Sequence, residues 1–517
     1  MKTIFIAITS GTLLFPAACT AAPNVFRSWF TPTVVPTNFT GMVRYEAEIT
    51  GEPASVGFNY DGVSRPMRDD GSNGDRVAGD AVWTCLFTAN EILSRNTANR
   101  VFHPIIGTCN PAGAGAFNVV AEVWSSQMGL VPLRNVSATA QETDYVVNYL
   151  ATKAQLANFN PVFWANRFYT NHGDNYDFLN FIHIAGVRGN RYHFHIRNSV
   201  QGIGLPLFED SAVFGSAGRL QGGSVFPISS FYDGGGAGFA HETGHQWINF
   251  LSGAFATGVP HWPKGNVAIN VMGFTIGGGV GGNYSYTFTS NGSGGYVVGP
   301  PVQTNLTTFN RMELYLMGLA APAEVPAYFV LNDQNQNVSN GQTLTAGEIS
   351  LVTVNDVIAA NGPRVPDSTH SQKLFRTATI ILSEQLLDHY AMSFYDYFTR
   401  RAEARQPHTY AEGLASSTGN PFYVATSGRA VMVTKITDDV PTLRMIRQAD
   451  GTLRLLFPAR IGVSYQPQRS FDLRTWSNDG PPLRIPVVNP PVDPATSIVL
   501  TPLPGTNQTF YRLQVSY

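Results

Sequence analysis

Short runs that alternate apolar and polar residues fill both ends of this chain, while helical spacing is confined to its middle. No other feature limits the fold so sharply. Before about residue 145 the runs are 42-MVRYEAEIT, 55-SVGFNY, 81-AVWTCLFTA, 117-FNVVAEVW and 131-VPLRNVSA, with turn-rich segments between them. Strands of this length and spacing build a β-sandwich. The same pattern returns near the end in 441-PTLRMIR, 452-TLRLLFPA, 463-VSYQPQRS, 498-IVLTPL and 508-QTFYRLQVSY. The middle mixes strand-like 177-DFLNFIHIAG, 191-RYHFHIRN, 219-RLQGGSVFPIS and 377-TATIILSE with segments of helical character. Those are 145-YVVNYLATKAQLANF, 239-FAHETGHQWINFL, 308-TFNRMELYLMGL and 384-EQLLDHYAMSFYDYFTRRAEA. The expected class is therefore α+β: an all-β module over 23–145, a mixed domain over 146–435 and a second all-β module over 436–517. A length of 517 residues calls for several such domains.

Charged residues make up 13% of the chain, about half the usual share of roughly 25%. The net charge of −2 recommends neither a nucleic acid nor an anionic membrane surface as partner. The opening MKTIFIAITSGTLLFPAACTAAP has one basic residue, a short apolar run and then small residues, the pattern of a signal peptide over 1–22. The expected location is outside the cell. Cys19 follows Pro-Ala-Ala, a poor match to a lipid-anchor site. Later segments fall short of the roughly 18 apolar residues that span a bilayer. With the leader removed, Cys85 and Cys109 remain, and two cysteines in an exported chain are expected to form one disulfide.

In 239-FAHETGHQWINFL, His241 and His245 stand four residues apart, one helical turn, so both imidazoles can reach one metal ion. Glu242 then projects beside the metal, placed to take a proton from metal-bound water. The stretch around them is almost uncharged, where two histidines and a glutamate would be costly without partners. A third ligand is needed. His261, in the loop 258-GVPHWPKG, and Glu313, in the helical 309-FNRMELYLMGL, are the two candidates.

The pieces 168-FYTNHGDNYDFLNF, 197-RNSVQGIG, 241-HETGHQW, 261-HW, 271-VMG and 309-FNRMELYLMGL resemble secreted bacterial zinc metallopeptidases of the zincin type. The resemblance covers the central domain only. It implies a mixed twisted sheet over an active-site helix, a zinc cofactor, and a protein or peptide substrate laid along an edge strand, for which 219-RLQGGSVFPIS is the candidate. The metzincin arrangement of a third histidine six residues beyond the second is absent, because Gln246 to Leu251 contain none. Met272 is read as packing. Tyr284, Tyr286 and Tyr315 are candidates for stabilising an oxyanion. Two other readings stand beside the peptidase: a surface-binding protein on a zincin frame, and a zinc hydrolase of a non-peptide amide. There is no Gly-x-Ser-x-Gly elbow and no phosphate-binding Gly-x-x-x-x-Gly-Lys, so serine hydrolase and nucleotide chemistry are set aside.

Three further groups bear on the site. His193 and His195 alternate on one strand face and could bind a metal, but a solvent-facing pair is the preferred reading. His183 is expected to be a strand residue with a local hydrogen-bond partner. His370, His389 and His408 show no clustering. In 69-DDGSNGDRVAGD-80, Asp69, Asp70, Asn73, Asp75 and Asp80 could offer oxygen ligands to Ca2+. The spacing departs from a calcium loop, however, and a long hairpin with Asp and Gly in turn roles is the preferred reading. The segment resembles an element of immunoglobulin-like modules in exported bacterial proteins, and Ser470 to Trp476 with the final FYRL resembles their C-terminal modules.

Overall fold

The computed structural model describes residues 22–60, 63–114, 117–184, 191–227, 238–255, 262–267, 271–272, 286–301, 308–407, 420–436, 444–458, 464–484, 495–500 and 509–516. Residues 1–21 of the expected leader, Cys19 among them, lie outside these residues. The class is β-rich and mixed: strands grouped in several sheets, with a smaller helical content. Among the described residues no helix is long and apolar enough to cross a membrane. The chain divides into two compact units. One comprises Met1–Thr33, Phe39–Ile92 and Ile105–Val123, and the other Val34–Asn38, Leu93–Pro104 and Trp124–Tyr517.

The first unit is built from strands, whereas Arg134–Ser137, from the run 131-VPLRNVSA, joins the sheet of the second. Asn24–Thr31, Met42–Thr50 and Val82–Thr88 form one antiparallel sheet, and Val56–Tyr60 pairs with Val63–Pro66 and Phe102–Pro111 in another. Inward-facing rings fill the space between them: Tyr45 stacks on Phe58 at 3.8 Å, and Phe30 and Phe87 meet Phe58 edge-on. Gly107 is required here, since a Cβ at that position would lie 1.9 Å from the Phe58 ring. The disulfide expectation is corrected: Cys85 and Cys109 are free, buried thiols. Cys85 pairs with Tyr45 in one sheet and Cys109 with Phe58 in the other, so the stacked rings occupy the ground a bridge would cross. Burial pushes both thiols up to about 12.

The second unit is organised by an eight-stranded mixed sheet. Its main order is Tyr192–His195, Gly222–Pro227, Phe178–His183, Leu374–Ser383, Val146–Leu150, Ala140–Glu142 and Arg134–Ser137, and Val431–Val433 pairs with Leu374–Ser383. The four strands from Gly222–Pro227 to Val146–Leu150 run parallel, whereas Tyr192–His195 is antiparallel to its neighbour. Every residue of LFRTATIILS is buried, as a central parallel strand covered on both faces must be. Phe375 and Ile381 face a cluster with Trp247, Ile248 and Leu316, while Ala378, Ile380 and Leu382 face Trp164 and Phe168 of the helix Pro161–Tyr169. Asp177, 1% exposed, ties three strand starts together: Arg219 Nε lies 3.0 Å from Oδ1, Gln221 Nε2 donates to Oδ1, and the Arg376 amide donates to Oδ2.

Three sequence expectations shift. The run 145-YVVNYLATKAQLANF opens as a buried strand, Val146–Leu150, because its β-branched and aromatic residues fit a pleated core better than a helix. Helix begins only at Lys153, capped by Thr152. The segment 219-RLQGGSVFPIS is not the sheet edge, since Tyr192–His195 pairs outside it. The helix His389–Arg401 starts where Asp388 accepts from the Ala391 amide, later than the apolar pattern suggests. The C-terminal strands Leu453–Pro458, Ser464–Ser470 and Ala495–Leu500 share one apolar cluster with Leu374 and Val431.

Candidate metal centre

The helix Gly238–Gly244 carries the motif, and all seven of its residues are buried. Turn hydrogen bonds continue it past the last helical residue: His245 N donates to His241 O, and Ile248 N to Gly244 O. His241 and His245 thus lie on one face, their rings 4.9 Å apart at 83°. His241 Nδ1 donates to the Val271 carbonyl at 2.7 Å, which leaves Nε2 with the lone pair a metal needs. The side-chain amide of Asn249 lies 3.3 Å from His245 Nδ1. Two imidazoles on one buried helix face, one with its tautomer set by a carbonyl, are a donor set that suits zinc.

Gly244 explains the close packing behind this helix. A Cβ there would lie 2.6 Å from Met272 Sδ and 3.0 Å from Phe309, so both side chains press directly on the helix backbone. Met272, fully buried, packs as expected. Its neighbour Val271 is the residue whose carbonyl holds His241.

Glu242 is 3% exposed and accepts from Arg191 Nε at 3.0 Å on Oε1. Burial pushes its carboxyl up to about 7, with the Arg191 charge opposing that rise. Nothing local in the sequence announces Arg191, which immediately precedes the edge strand and lies 51 residues away. The edge strand is bound to the helix at two more points. His193 Nε2 meets Gln246 Oε1 at 3.0 Å, and His195 Nε2 donates to His245 O at 2.9 Å. The two histidines share one face, as expected, but that face meets the motif turn and not solvent.

The third-ligand candidates separate. His261 lies outside the described residues. Glu313 is fully buried, and its carboxylate accepts from Trp262 Nε1 at 2.9 Å, from the Asn310 amide at 2.8 Å and from the Met272 backbone. Burial nonetheless pushes it up to about 8. It belongs to a capping box at the start of Arg311–Leu316, a helix that Gly318 ends at φ 76°, as the sequence suggests. The ligand atoms of His241, His245 and Glu313 do not all lie within 4.8 Å of one another; among the described residues that condition joins Asp69, Asp75 and Asp80.

Those three aspartates also serve their own loop. Asp69 accepts from the amides of Gly79, Asp80 and Ala81, Asp75 from Gly71 and Val77, and Asp80 from Val82. Asp70 turns instead to Ser72, and Asn73 sits at φ 50°. Of the tyrosines, Tyr315 accepts from the Arg364 amide, Tyr286 is 9% exposed on a strand, and Tyr284 lies outside the described residues. His183 is buried in its strand against Phe159, and its Nε2 has no hydrogen-bond partner among the described residues, contrary to expectation. His370 pairs with Asp367, and His389 meets the Val131 carbonyl; His408 lies outside the described residues. Compared with known proteins, the chain matches no family profile, no curated sequence and no solved structure.

Proposed function

We propose that this chain is a zinc-dependent endopeptidase that works outside the cell. The observation that carries the reading is the pairing of His241 and His245 on one buried helix face, 4.9 Å apart, beside the buried Glu242. The sheet order supports it, because an antiparallel edge strand flanks the motif helix and leaves an edge for an extended peptide. His241, His245 and His261 would hold the metal. Glu313 is assigned a supporting role, since its carboxylate is taken up by Trp262, Asn310 and Met272.

Bound zinc would acidify a water and polarise the scissile carbonyl. Glu242, whose Oε1 accepts from Arg191 Nε, would be the base that takes the proton of the attacking water and returns it to the leaving amine. Arg191 fixes the direction of that carboxylate. In the metal-free chain burial raises the Glu242 carboxyl, with the Arg191 charge opposing that rise.

The Arg191–Glu242 ion pair favours a second reading, a binding protein whose base is permanently occupied. Casein hydrolysis by the purified chain separates the two, run with and without a chelator and beside Glu242→Gln. The peptidase reading expects activity that chelation abolishes, zinc restores and the variant lacks. Zinc bound without hydrolysis of casein leaves the binding protein or a zinc hydrolase of a non-peptide amide.

A further inference from the structure

We infer that Asn249 is a positioning residue that fixes the tautomer of His245 for metal binding, an inference that rests on the zinc reading above. Two observations on Asn249 converge. Its backbone has φ 86°, the left-handed conformation, immediately after the helical turns that end at Ile248. Asparagine is the side-chain-bearing residue that best tolerates this conformation at a helix end. That backbone turn brings its amide to 3.3 Å from His245 Nδ1 while the residue stays 91% buried, at 9% exposure.

The chemistry of the contact depends on which end of the amide faces the ring. With Nδ2 toward the ring, Nδ1 must accept, the proton resides on Nε2, and His245 has no lone pair to offer there. Rotating the amide by a half turn presents Oδ1, which accepts the Nδ1 proton and frees Nε2 for the metal. His241 has no such choice, because the Val271 carbonyl can only accept. The two ligands are therefore set by different means: one by a fixed backbone oxygen, the other by a side chain that can present either partner. Zinc binding selects the Oδ1-facing orientation.

The experiment measures zinc affinity by chelator competition in the full chain for wild type, Asn249→Gly and Asn249→Asp, with the unfolding midpoint of each chelated protein as control. Glycine keeps the left-handed backbone and deletes the amide; aspartate keeps an acceptor and deletes the donor. Expected are a loss of about 10- to 100-fold for glycine and wild-type or tighter binding for aspartate. A purely structural role would lower both variants in step with their midpoints, and aspartate would give no rescue. Equal affinity of glycine and wild type, or an equal loss in both variants, overturns the inference while the zinc reading stands. A wild-type chain that binds no zinc overturns both.

Discussion

Replacing Glu313 by glutamine tests how the interior beneath the motif helix treats charge. In the metal-free protein the folded carboxyl holds its proton up to about 8, against a usual value of 4.5. A raised folded value means that stability is complete below the unfolded value and is lost as pH rises through the folded one. Between about pH 5 and about pH 8 the wild type should lose roughly 4 kcal/mol from this group, at roughly 1.4 kcal/mol per pH unit. Glutamine has the same shape and no titration. It sets an amide nitrogen against a donor, Trp262 or Asn310, at a cost of about 1–3 kcal/mol, but that cost does not vary with pH. The assay is urea unfolding of chelated wild type and Glu313→Gln at both pH values. The expected result is a variant weaker at low pH whose deficit shrinks or reverses at high pH. Parallel pH slopes would refute the reasoning: the three donors would then already hold the carboxylate ionised.

Three further outcomes follow from the same geometry. His183 is held down to about 4 by burial, so its contribution is complete above the usual 6.5 and lost as pH falls toward 4; acid titration of unfolding should show a loss of roughly 3 kcal/mol that His183→Gln removes. Gly244→Ala gains about 1 kcal/mol of helix propensity but drives a methyl into Met272 and Phe309, an overpacking cost of about 1–3 kcal/mol, so thermal unfolding should show a slight net loss. Cys85 and Cys109 should resist thiol reagents in the folded chain and both react in denaturant, as read by peptide mass mapping; two peptides linked without reductant would contradict their free state.

The strands were legible where burial falls on one face: Met42–Thr50 and Val56–Tyr60 alternate, and so do their exposures. Val146–Leu150 was not, because a strand buried on both faces loses its period and resembles a helix of the same composition. The motif pair was readable because four-residue spacing is a local property of a helix. Arg191, Val271 and Trp262 were not readable, since each makes its contact across tens of residues and only the assembled fold brings them there. Asn249 lies between these cases. An asparagine just past a helix is a stop signal, but its reach to His245 depends on the left-handed turn.

The hub at Glu313 also orders events in time. Its carboxylate joins Trp262, 51 residues earlier in the chain, to the Met272 segment and to its own helix cap. Closing loops of that length is slow and costs entropy before any contact rewards it. During synthesis the helix Gly238–Gly244 emerges well before Glu313 does, so Met272, which packs on Gly244, lacks its backbone contact to Glu313 until then. A nascent chain cut short between them would carry HETGH without the contacts that Glu313 makes to Trp262 and the Met272 backbone.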